Sequence, residues 1–409
     1  MNYLRIFFIY LLIGSCSTTN NKERIEKIDL ALNLDNFTNT YLKMDEYFDT
    51  KEIYNSDNIF VFPERKPATL PKEFKYENKL FNTKKYLDSS YTQGFLVLHK
   101  DSISFESYYL GQNKNTRHIS WSVAKSFVSA LMGIAINEGY IESIEDNVEK
   151  YLPELSSSGY NGVKIRELLQ MSSGIKFDET YSDMNSDINR YWRGFVLGKS
   201  QDAFTATLKN KITPGTFNHY VSINTHVLAM IIVKTTEKSL TEYLEEKIWK
   251  KIGMEYNGYW LVDGEGMEMA LGGLNATMRD YTKMGKLFLD SGRWKELQIV
   301  PEEWVLESTS INGEHLGATS INSAHPNIGY GYQWWIPGTS KKYGQEEEFM
   351  AIGIYNQFIY VNRSTKTVIV KNSANKNYYD RFNNPYASKM VAIELFREIA
   401  HMNKLQTSE

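Results

Sequence analysis

The stretch that most constrains the fold of this chain is an uncharged run from Ser126 to Ile136. A helix that is apolar on every side must be buried, so this run predicts a central helix that ends near Gly139. The run directly follows Trp121-Ser122-Val123-Ala124-Lys125. Residues three apart share one face of a helix, so we expect the Lys125 amine beside the Ser122 hydroxyl where the helix begins.

The pairing of Ser122 with Lys125 suggests a catalytic nucleophile. A neutral amine can accept the hydroxyl proton and so activate the serine. The N-terminus of the helix carries partial positive charge and free N–H groups, which would stabilise an oxyanion and help to lower the pKa of the lysine. The alternative is structural: a serine that caps the helix and a lysine that extends to solvent.

Two further Ser-x-x-Lys patterns, Ser173 to Lys176 and Ser373 to Lys376, lie in turn or loop sequence and open no predicted helix. The sequence contains neither the Gly-x-Ser-x-Gly elbow of α/β-hydrolases nor the His-Glu-x-x-His pattern of zinc hydrolases. Its seven histidines are scattered. These observations favour the Ser122 copy and argue against a metal hydrolase.

The N-terminus reads as a targeting segment. An apolar run from Ile6 to Ile13 follows Arg5 and is too short to span a bilayer, which predicts a signal peptide over residues 1–15. Its end, Ile13-Gly14-Ser15-Cys16, resembles a bacterial lipobox, and Cys16 is the only cysteine. We therefore expect lipidation at Cys16, a membrane tether and an extracytoplasmic place in the cell envelope. The alternative is an ordinary signal peptide with an incidental cysteine.

Residues 16–85 are predicted to form a polar tether and a wrapping segment, with some helix around residues 28–34 and 41–48. The net charge of -3 gives no basic field that would favour nucleic acid. Beyond the tether, alternating residues predict a β-hairpin from Gly94–His99 and Ser102–Tyr109. Further strands are predicted at residues 330–335, 349–362 and 367–371, and helices at 144–155, 165–171, 239–252, 275–289 and 387–400. Strands at both ends with helices between them indicate an α/β domain.

Hydrolysis of an acyl-enzyme needs a second proton-transfer group. Candidates cluster in the loop from Pro214 to Asn224, and Tyr220 is the first choice because a tyrosine beside a cation ionises more easily. The alternative is an ordinary tyrosine in a loop that leads into a helix from Thr225.

The motifs together resemble the serine β-lactamase and penicillin-binding protein superfamily, most closely its class C branch, which includes family VIII esterases and 6-aminohexanoate-dimer hydrolases. The resemblance covers roughly residues 90–400. It rests on Ser122-Val123-Ala124-Lys125, on Tyr220 preceded by Pro214-Gly215-Thr216, and on three further blocks: Leu168 to Gly174, Gly272 to Asp280 and Ala351 to Gln357.

Two departures from the family pattern bear on the substrate. The usual second motif has asparagine two residues after the tyrosine, where this chain has Ser222, with Asn224 two further on. The usual Lys-Thr-Gly third motif is replaced by Ala351-Ile352-Gly353. That lysine helps to hold the carboxylate of β-lactams and peptidoglycan termini, so its loss argues against both substrates. Where esterase-side relatives commonly read Gly-x-x-Gly-Gln, Asn356 replaces the second glycine.

The resemblance implies an antiparallel sheet flanked by helices (residues 86–405), with an inserted, mostly helical subdomain at about residues 140–270. It implies a mechanism without metal or organic cofactor, in which Lys125 activates Ser122 and Tyr220 transfers protons. The backbone N–H groups of Ser122 and Ile354 would hold the oxyanion. Further residues are assigned to support (Ser222, Asn224, Gly353) and to the substrate wall (Asp178, Tyr181, Trp334, Trp335, Tyr355).

Three functions compete at this stage. The first is an envelope serine hydrolase acting on a small amide or ester. The second is a peptidoglycan D,D-peptidase or β-lactamase, against which the lost third-motif lysine speaks. The third is a non-catalytic binding or sensor protein on the same fold, against which the joint presence of Ser122, Lys125 and Tyr220 speaks.

Overall fold

The computed structural model describes residue 26 and residues 33–380 and 384–406. The signal peptide and Cys16 lie outside these residues, as does most of the predicted helical stretch at 28–34. Within the described ranges, none of the helices combines the length and apolarity needed to cross a membrane.

The centre of the fold is a seven-stranded antiparallel sheet in the order β11-β12-β13-β14-β15-β4-β5. A smaller antiparallel sheet has the order β1-β7-β8-β6. The strands are β1 (Thr50–Ile53), β2 (Glu73–Tyr76), β3 (Lys79–Asn82), β4 (Thr92–His99), β5 (Ser102–Tyr108), β6 (His118–Ile119), β7 (Gly258–Leu261), β8 (Leu274–Ala276), β9 (Arg293–Trp294), β10 (Leu297–Gln298), β11 (Ile328–Tyr330), β12 (Trp335–Pro337), β13 (Glu348–Gly353), β14 (Gln357–Asn362) and β15 (Thr367–Ser373).

Helices cover both faces of the large sheet. They are α1 (Phe37–Thr40), α2 (Thr83–Ser89), α3 (Ala124–Asn137), α4 (Val148–Tyr151), α5 (Ile165–Leu169), α6 (Asp187–Val196), α7 (Gln201–Ala206), α8 (Ile223–Thr236), α9 (Leu240–Leu244), α10 (Met278–Leu289), α11 (Glu302–Ser308) and α12 (Lys389–Gln406). Helix α10 packs on β4, β14 and β15, with α3 and α8 behind it in one core. Helices α2 and α12 cover the opposite face.

The predicted fold class is confirmed, and so is the joining of the early hairpin to the late strands in one sheet. The uncharged run is the buried helix α3, and Gly139 follows it with φ of 79°. The predicted helix at 144–155 is wrong as one element, because Pro153 separates α4 from a short 3₁₀ turn.

Two predicted strands are hairpins or bends in the structure. Residues 349–362 form β13 and β14, joined by a tight turn at Tyr355 and Asn356, which have φ of 64° and 72°. Residues 330–335 bend between β11 and β12 at Gln333, whose φ is 62°. In both turns the left-handed positions are occupied by residues other than glycine, so the usual sequence signal for such a conformation is absent at those positions.

The segment that the sequence assigned to the tether is part of the folded body from residue 33 onward. Strand β1 pairs with β7, and Phe37, Tyr41 and Met44 are each less than 5% exposed. These three residues, with Phe48, recur at helical spacing among polar neighbours. The apolar face that they form therefore packs against the domain.

Candidate active site

The nucleophile candidate lies in a 3₁₀ turn at residues 121–123, which leads into α3 at Ala124. Trp121 has φ of 46°, a left-handed conformation that costs a large side chain free energy and occurs mainly where the surroundings impose it. The Ser122 side chain is half-buried at the start of the helix. The expected placement of Ser122 ahead of a buried helix is therefore present.

Lys125 is 1% exposed, so its side chain does not extend to solvent. Its Nζ donates a hydrogen bond to the Leu271 carbonyl at 2.5 Å and lies 5.5 Å from the centre of the Tyr220 ring. Burial lowers the pKa of Lys125 from 10.5 to about 7, although the charge of Glu179 acts in the opposite direction. A substantial fraction of this amine is therefore unprotonated near neutral pH and able to accept a proton.

Tyr220 completes a triad of side chains, because its ring centre lies 5.5 Å from the Lys125 Nζ and the neighbouring Ser122 hydroxyl acts to lower its pKa. Its ring stacks on Trp335 at 5.5 Å and meets Tyr330 edge-on at 6.1 Å. Burial, followed by the charges of Tyr330 and Glu179, raises the pKa of Tyr220 well above 10. The expectation that Tyr220 ionises easily is therefore wrong: its cationic neighbour is a buried amine that loses its own charge near pH 7.

A carboxylate that the sequence did not single out stands beside this triad. Glu179 accepts a hydrogen bond at 2.5 Å from the backbone N–H of Ser222. Its pKa is raised by burial, with Lys125 the largest opposing influence. Glu179 is the central residue of Phe177 to Tyr181, and the sequence prediction chose its neighbour Asp178 instead. No periodic pattern in this loop distinguishes an inward acid from an outward one.

The two residues assigned to orient the triad differ in their contacts. Ser222 contacts Glu179 through its backbone, as just described. Asn224 faces elsewhere: its Oδ1 accepts hydrogen bonds from Ser173 at 2.9 Å and from Tyr160 at 3.3 Å, and its Nδ2 lies 3.7 Å from the Met171 sulfur. Asn224 therefore ties the loop after α5 to the start of α8 rather than touching Lys125 or Tyr220.

Strand β13 closes the site on the opposite side of Ser122. It packs against the nucleophile turn, and a Cβ placed on Gly353 would lie 2.5 Å from the Ser120 carbonyl oxygen. No side chain larger than hydrogen fits at that approach, so Gly353 is required for β13 and the nucleophile turn to be this close. Ile354 follows immediately, at the end of β13.

Three of the five predicted wall residues do not line the site. Asp178 is exposed and forms a turn by accepting a hydrogen bond from the Thr180 N–H at 2.9 Å. Trp334 is fully buried against Phe288, with ring centres 4.6 Å apart, because the bend at Gln333 directs it towards α10. Trp335 is behind Tyr220 and supports its ring.

The other two are near the triad. Tyr181 lies beside Glu179, and burial together with that charge raises its pKa well above 10. Tyr355 belongs to an aromatic cluster that includes Trp121, at 5.9 Å between ring centres, and Phe37, at 5.0 Å. Trp192, which was not predicted, is 5.5 Å from Trp121. The residues around the nucleophile are thus mostly aromatic, and one of them comes from the N-terminal segment.

Comparison with known proteins agrees with this geometry. The family profile described as Beta-lactamase matches residues 94–389. The 6-aminohexanoate-dimer hydrolase of Paenarthrobacter ureafaciens is 32% identical over 297 residues, which cover 70% of this chain and 74% of that protein. A solved structure from Bacillus anthracis, assigned as a 6-aminohexanoate-dimer hydrolase, superposes with a TM-score of 0.80 and 25% identity, covering 95% of this chain and 98% of the other.

A family VIII carboxylesterase shares the fold, with a TM-score of 0.58 at 14% identity over 78% of this chain and 96% of its own. The profile match extends over more than half of the present sequence and includes every residue of the triad. The chain belongs to the beta-lactamase family and is a serine hydrolase.

Proposed function

We propose that this protein hydrolyses a small amide or ester through an acyl-enzyme formed on Ser122. The observation that carries the proposal is the buried amine of Lys125, whose pKa is lowered to about 7, in one cluster with the side chains of Ser122 and Tyr220. A structural lysine would need no such environment, whereas a general base works best with a pKa near the working pH.

In the acylation step, the Ser122 oxygen attacks the substrate carbonyl carbon and its proton passes to Lys125. The negative charge that develops on the carbonyl oxygen is held by the N–H groups of Ser122 and Ile354, the first at the start of α3 and the second at the end of β13. As the bond to the leaving amine or alcohol breaks, Tyr220 donates its hydroxyl proton to that group and is reprotonated from Lys125.

Deacylation follows the same path in reverse. Water attacks the ester carbon, its proton passes through Tyr220 to neutral Lys125, and Ser122 leaves with a proton as the acid product forms. Because the pKa of Tyr220 is raised, its phenol stays protonated until the instant of transfer. This makes Lys125 the resting base and Tyr220 the relay.

The substrate class is inferred from the aromatic residues around Ser122 and from the absence of a lysine in the third motif. Trp121, Trp192 and Tyr355 favour an apolar chain next to the scissile bond. The third motif has no lysine to bind the carboxylate of a β-lactam. Relatives named as 6-aminohexanoate-dimer hydrolases point in the same direction, so a short linear amide is the preferred substrate.

Covalent labelling tests this function. A fluorophosphonate probe is expected to add one adduct to the intact protein, on the peptide that contains Ser122, and Ser122→Ala should remain unlabelled. Ser173→Ala, which alters a look-alike Ser-x-x-Lys, is the matched control and should label like the wild type. Wild type should hydrolyse p-nitrophenyl acetate and short linear amides while leaving nitrocefin nearly intact.

Each other result identifies a competing function. Efficient nitrocefin turnover would favour a β-lactamase, and release of D-alanine from a D-Ala-D-Ala peptide would favour a D,D-peptidase. A wild type that neither labels nor hydrolyses any of these substrates would be a binding or sensor protein.

We also propose that the mature protein is lipid-anchored through Cys16 and faces the extracytoplasmic side of the envelope. The support is the lipobox-like Ile13-Gly14-Ser15-Cys16 behind an apolar run, in a chain with one cysteine. Globomycin is expected to make the unprocessed precursor accumulate in the membrane fraction, and Cys16→Ala should lose lipid labelling. Normal processing under globomycin, with release of a soluble mature protein, would instead indicate an ordinary signal peptide.

A further inference from the structure

A second lysine is buried near the site, and the mechanism above does not use it. Lys371 lies on β15 with a fully buried side chain, and its Nζ donates a hydrogen bond to the Ser373 hydroxyl. The Tyr86 ring of α2 covers it, with the ring centre 5.6 Å from Nζ. Burial lowers the pKa of Lys371 well below 10.5. The amine therefore lies in an environment that disfavours its charged form.

Ser373 connects this amine to the turn between β13 and β14. Gln357, the first residue of β14, is 1% exposed and is bonded to Ser373 twice. Its Nε2 donates to the Ser373 carbonyl at 2.5 Å, and its Oε1 accepts from the Ser373 N–H at 3.0 Å. The register of β15 against β4 shifts at this residue, which frees the Ser373 backbone for the side chain.

Gln357 also reaches the turn itself. Its Nε2 lies 3.5 Å from the Ile354 carbonyl and 3.4 Å from the Tyr355 carbonyl. The turn residues Tyr355 and Asn356 both have positive φ, a conformation that is costly for a bulky side chain such as tyrosine. A turn of this kind persists only when its surroundings hold it, and the Gln357 amide is a buried group that contacts it from inside.

The position of this turn matters because Ile354 opens it. The Ile354 N–H, which is assigned to the oxyanion, belongs to the peptide unit that links Gly353 to Ile354. The Ile354 carbonyl, which Gln357 approaches, belongs to the next peptide unit. A small rotation of the turn about Ile354 would direct the Ile354 N–H away from the substrate. Oxyanion donors act only within hydrogen-bond distance.

We propose that Lys371, Ser373 and Gln357 are positioning residues that hold the Ile354 N–H in place for the oxyanion, with the buried amine fixing Ser373 and Ser373 fixing the Gln357 amide. This inference rests on the proposed function, since it assigns a role to the same site. A fully buried amine costs folding free energy that an apolar residue in the middle of β15 would avoid. The benefit that offsets this cost is that the Lys371 amine helps to hold the turn, although it does not contact the substrate.

The test compares Lys371→Met, Ser373→Ala and Gln357→Met with two controls that remove buried hydroxyls from the same sheet. Thr367→Val alters the far end of β15, and Ser104→Ala alters β5. For each folded variant, kcat and KM are measured for p-nitrophenyl acetate and for its thiono analogue, whose C=S group accepts hydrogen bonds weakly. The oxygen-to-sulfur rate ratio reports on the oxyanion donors and is insensitive to a general loss of folded protein.

In the three network variants we expect kcat for the oxygen ester to fall about tenfold or more, with KM changed little, because removing one oxyanion donor costs roughly 10²–10³-fold. The oxygen-to-sulfur ratio should fall with it, while both controls keep the wild-type ratio. Lys371→Met should also unfold at a temperature no lower than wild type, since it removes a buried amine; it therefore remains testable even if Ser373→Ala does not fold.

Active, folded network variants that keep the wild-type kcat and oxygen-to-sulfur ratio would overturn the positioning role and leave the proposed function intact. A wild type that neither hydrolyses the ester nor labels on Ser122 would overturn both. Rescue adds a further criterion: Ser373→Thr keeps the hydroxyl and should recover the ratio that Ser373→Ala loses, and failure to do so would contradict the role assigned to the Lys371–Ser373 hydrogen bond.

Discussion

Replacing Lys125 with methionine is expected to reduce acylation of Ser122 by roughly 10²–10⁴-fold, the usual contribution of a general base. Methionine fills a similar volume but cannot accept a proton. The measurement is the second-order rate of fluorophosphonate labelling, with kcat/KM for p-nitrophenyl acetate alongside it. Lys176→Met, which removes the exposed lysine of a look-alike Ser-x-x-Lys, is the control and should behave like the wild type.

The stability of the same variant distinguishes lost chemistry from lost folding. The pKa of Lys125 is about 7 in the native state and 10.5 as its reference value, so between these pH values the unfolded chain binds a proton that the native chain does not. The free energy of unfolding of the wild type therefore includes a part that rises with pH across this window. Lys125→Met should lack that part and be at least as stable at pH 7. Wild-type labelling rates in this variant would show that Lys125 is not the base.

The parts of the fold that the sequence predicted are those with a strong local pattern. The helix after Ser122 has no charge over eleven residues, and the β4–β5 hairpin alternates on both sides of Lys100-Asp101. The strands predicted at 330–335 and 349–362 were wrong because their left-handed residues are not glycine, whereas Pro153 did mark the break in the predicted helix at 144–155. In the turn between β13 and β14, Tyr355 and Asn356 occupy the left-handed positions, and Tyr355 contacts Gln357 and the Phe37 ring.

The site residues also divide into those that the sequence could predict and those that it could not. Ser122, Lys125 and Tyr220 could be found from spacing and from the resemblance, because each belongs to a motif with a fixed order along the chain. Glu179 could not, since its role depends on the loop after α5 folding back onto the start of α8 at Ser222. Trp334 and Trp335 are adjacent in sequence, yet one packs beneath α10 and the other behind Tyr220. The bend at Gln333 determines that these two adjacent side chains pack in different surroundings.

Glu179→Gln is expected to move the acidic limb of the pH–rate profile to lower pH. The base must be unprotonated, so activity rises with pH through the pKa of Lys125, and the negative charge of Glu179 raises that pKa. Glutamine removes the charge but keeps an oxygen that accepts the Ser222 N–H. The pKa of Lys125 should therefore fall, and the variant should retain activity at pH values where the wild type has lost it. The other titratable neighbours, Tyr220 and Tyr181, have pKa values raised well above 10 and stay neutral throughout the range.

The control for this shift is the adjacent acid. Asp178→Asn removes an equal charge from an exposed turn residue, where solvent screens its effect on the buried amine, so its profile should match the wild type. Measuring kcat/KM for p-nitrophenyl acetate from about pH 5 to pH 9, a range that brackets the pKa of Lys125, defines the limb in all three proteins. A Glu179→Gln profile that coincides with the wild type would mean that Glu179 does not influence the base. A limb displaced to higher pH would mean that Glu179 is the base in the wild type. Its removal would then leave the amine of Lys125, with its higher pKa, to accept the Ser122 proton.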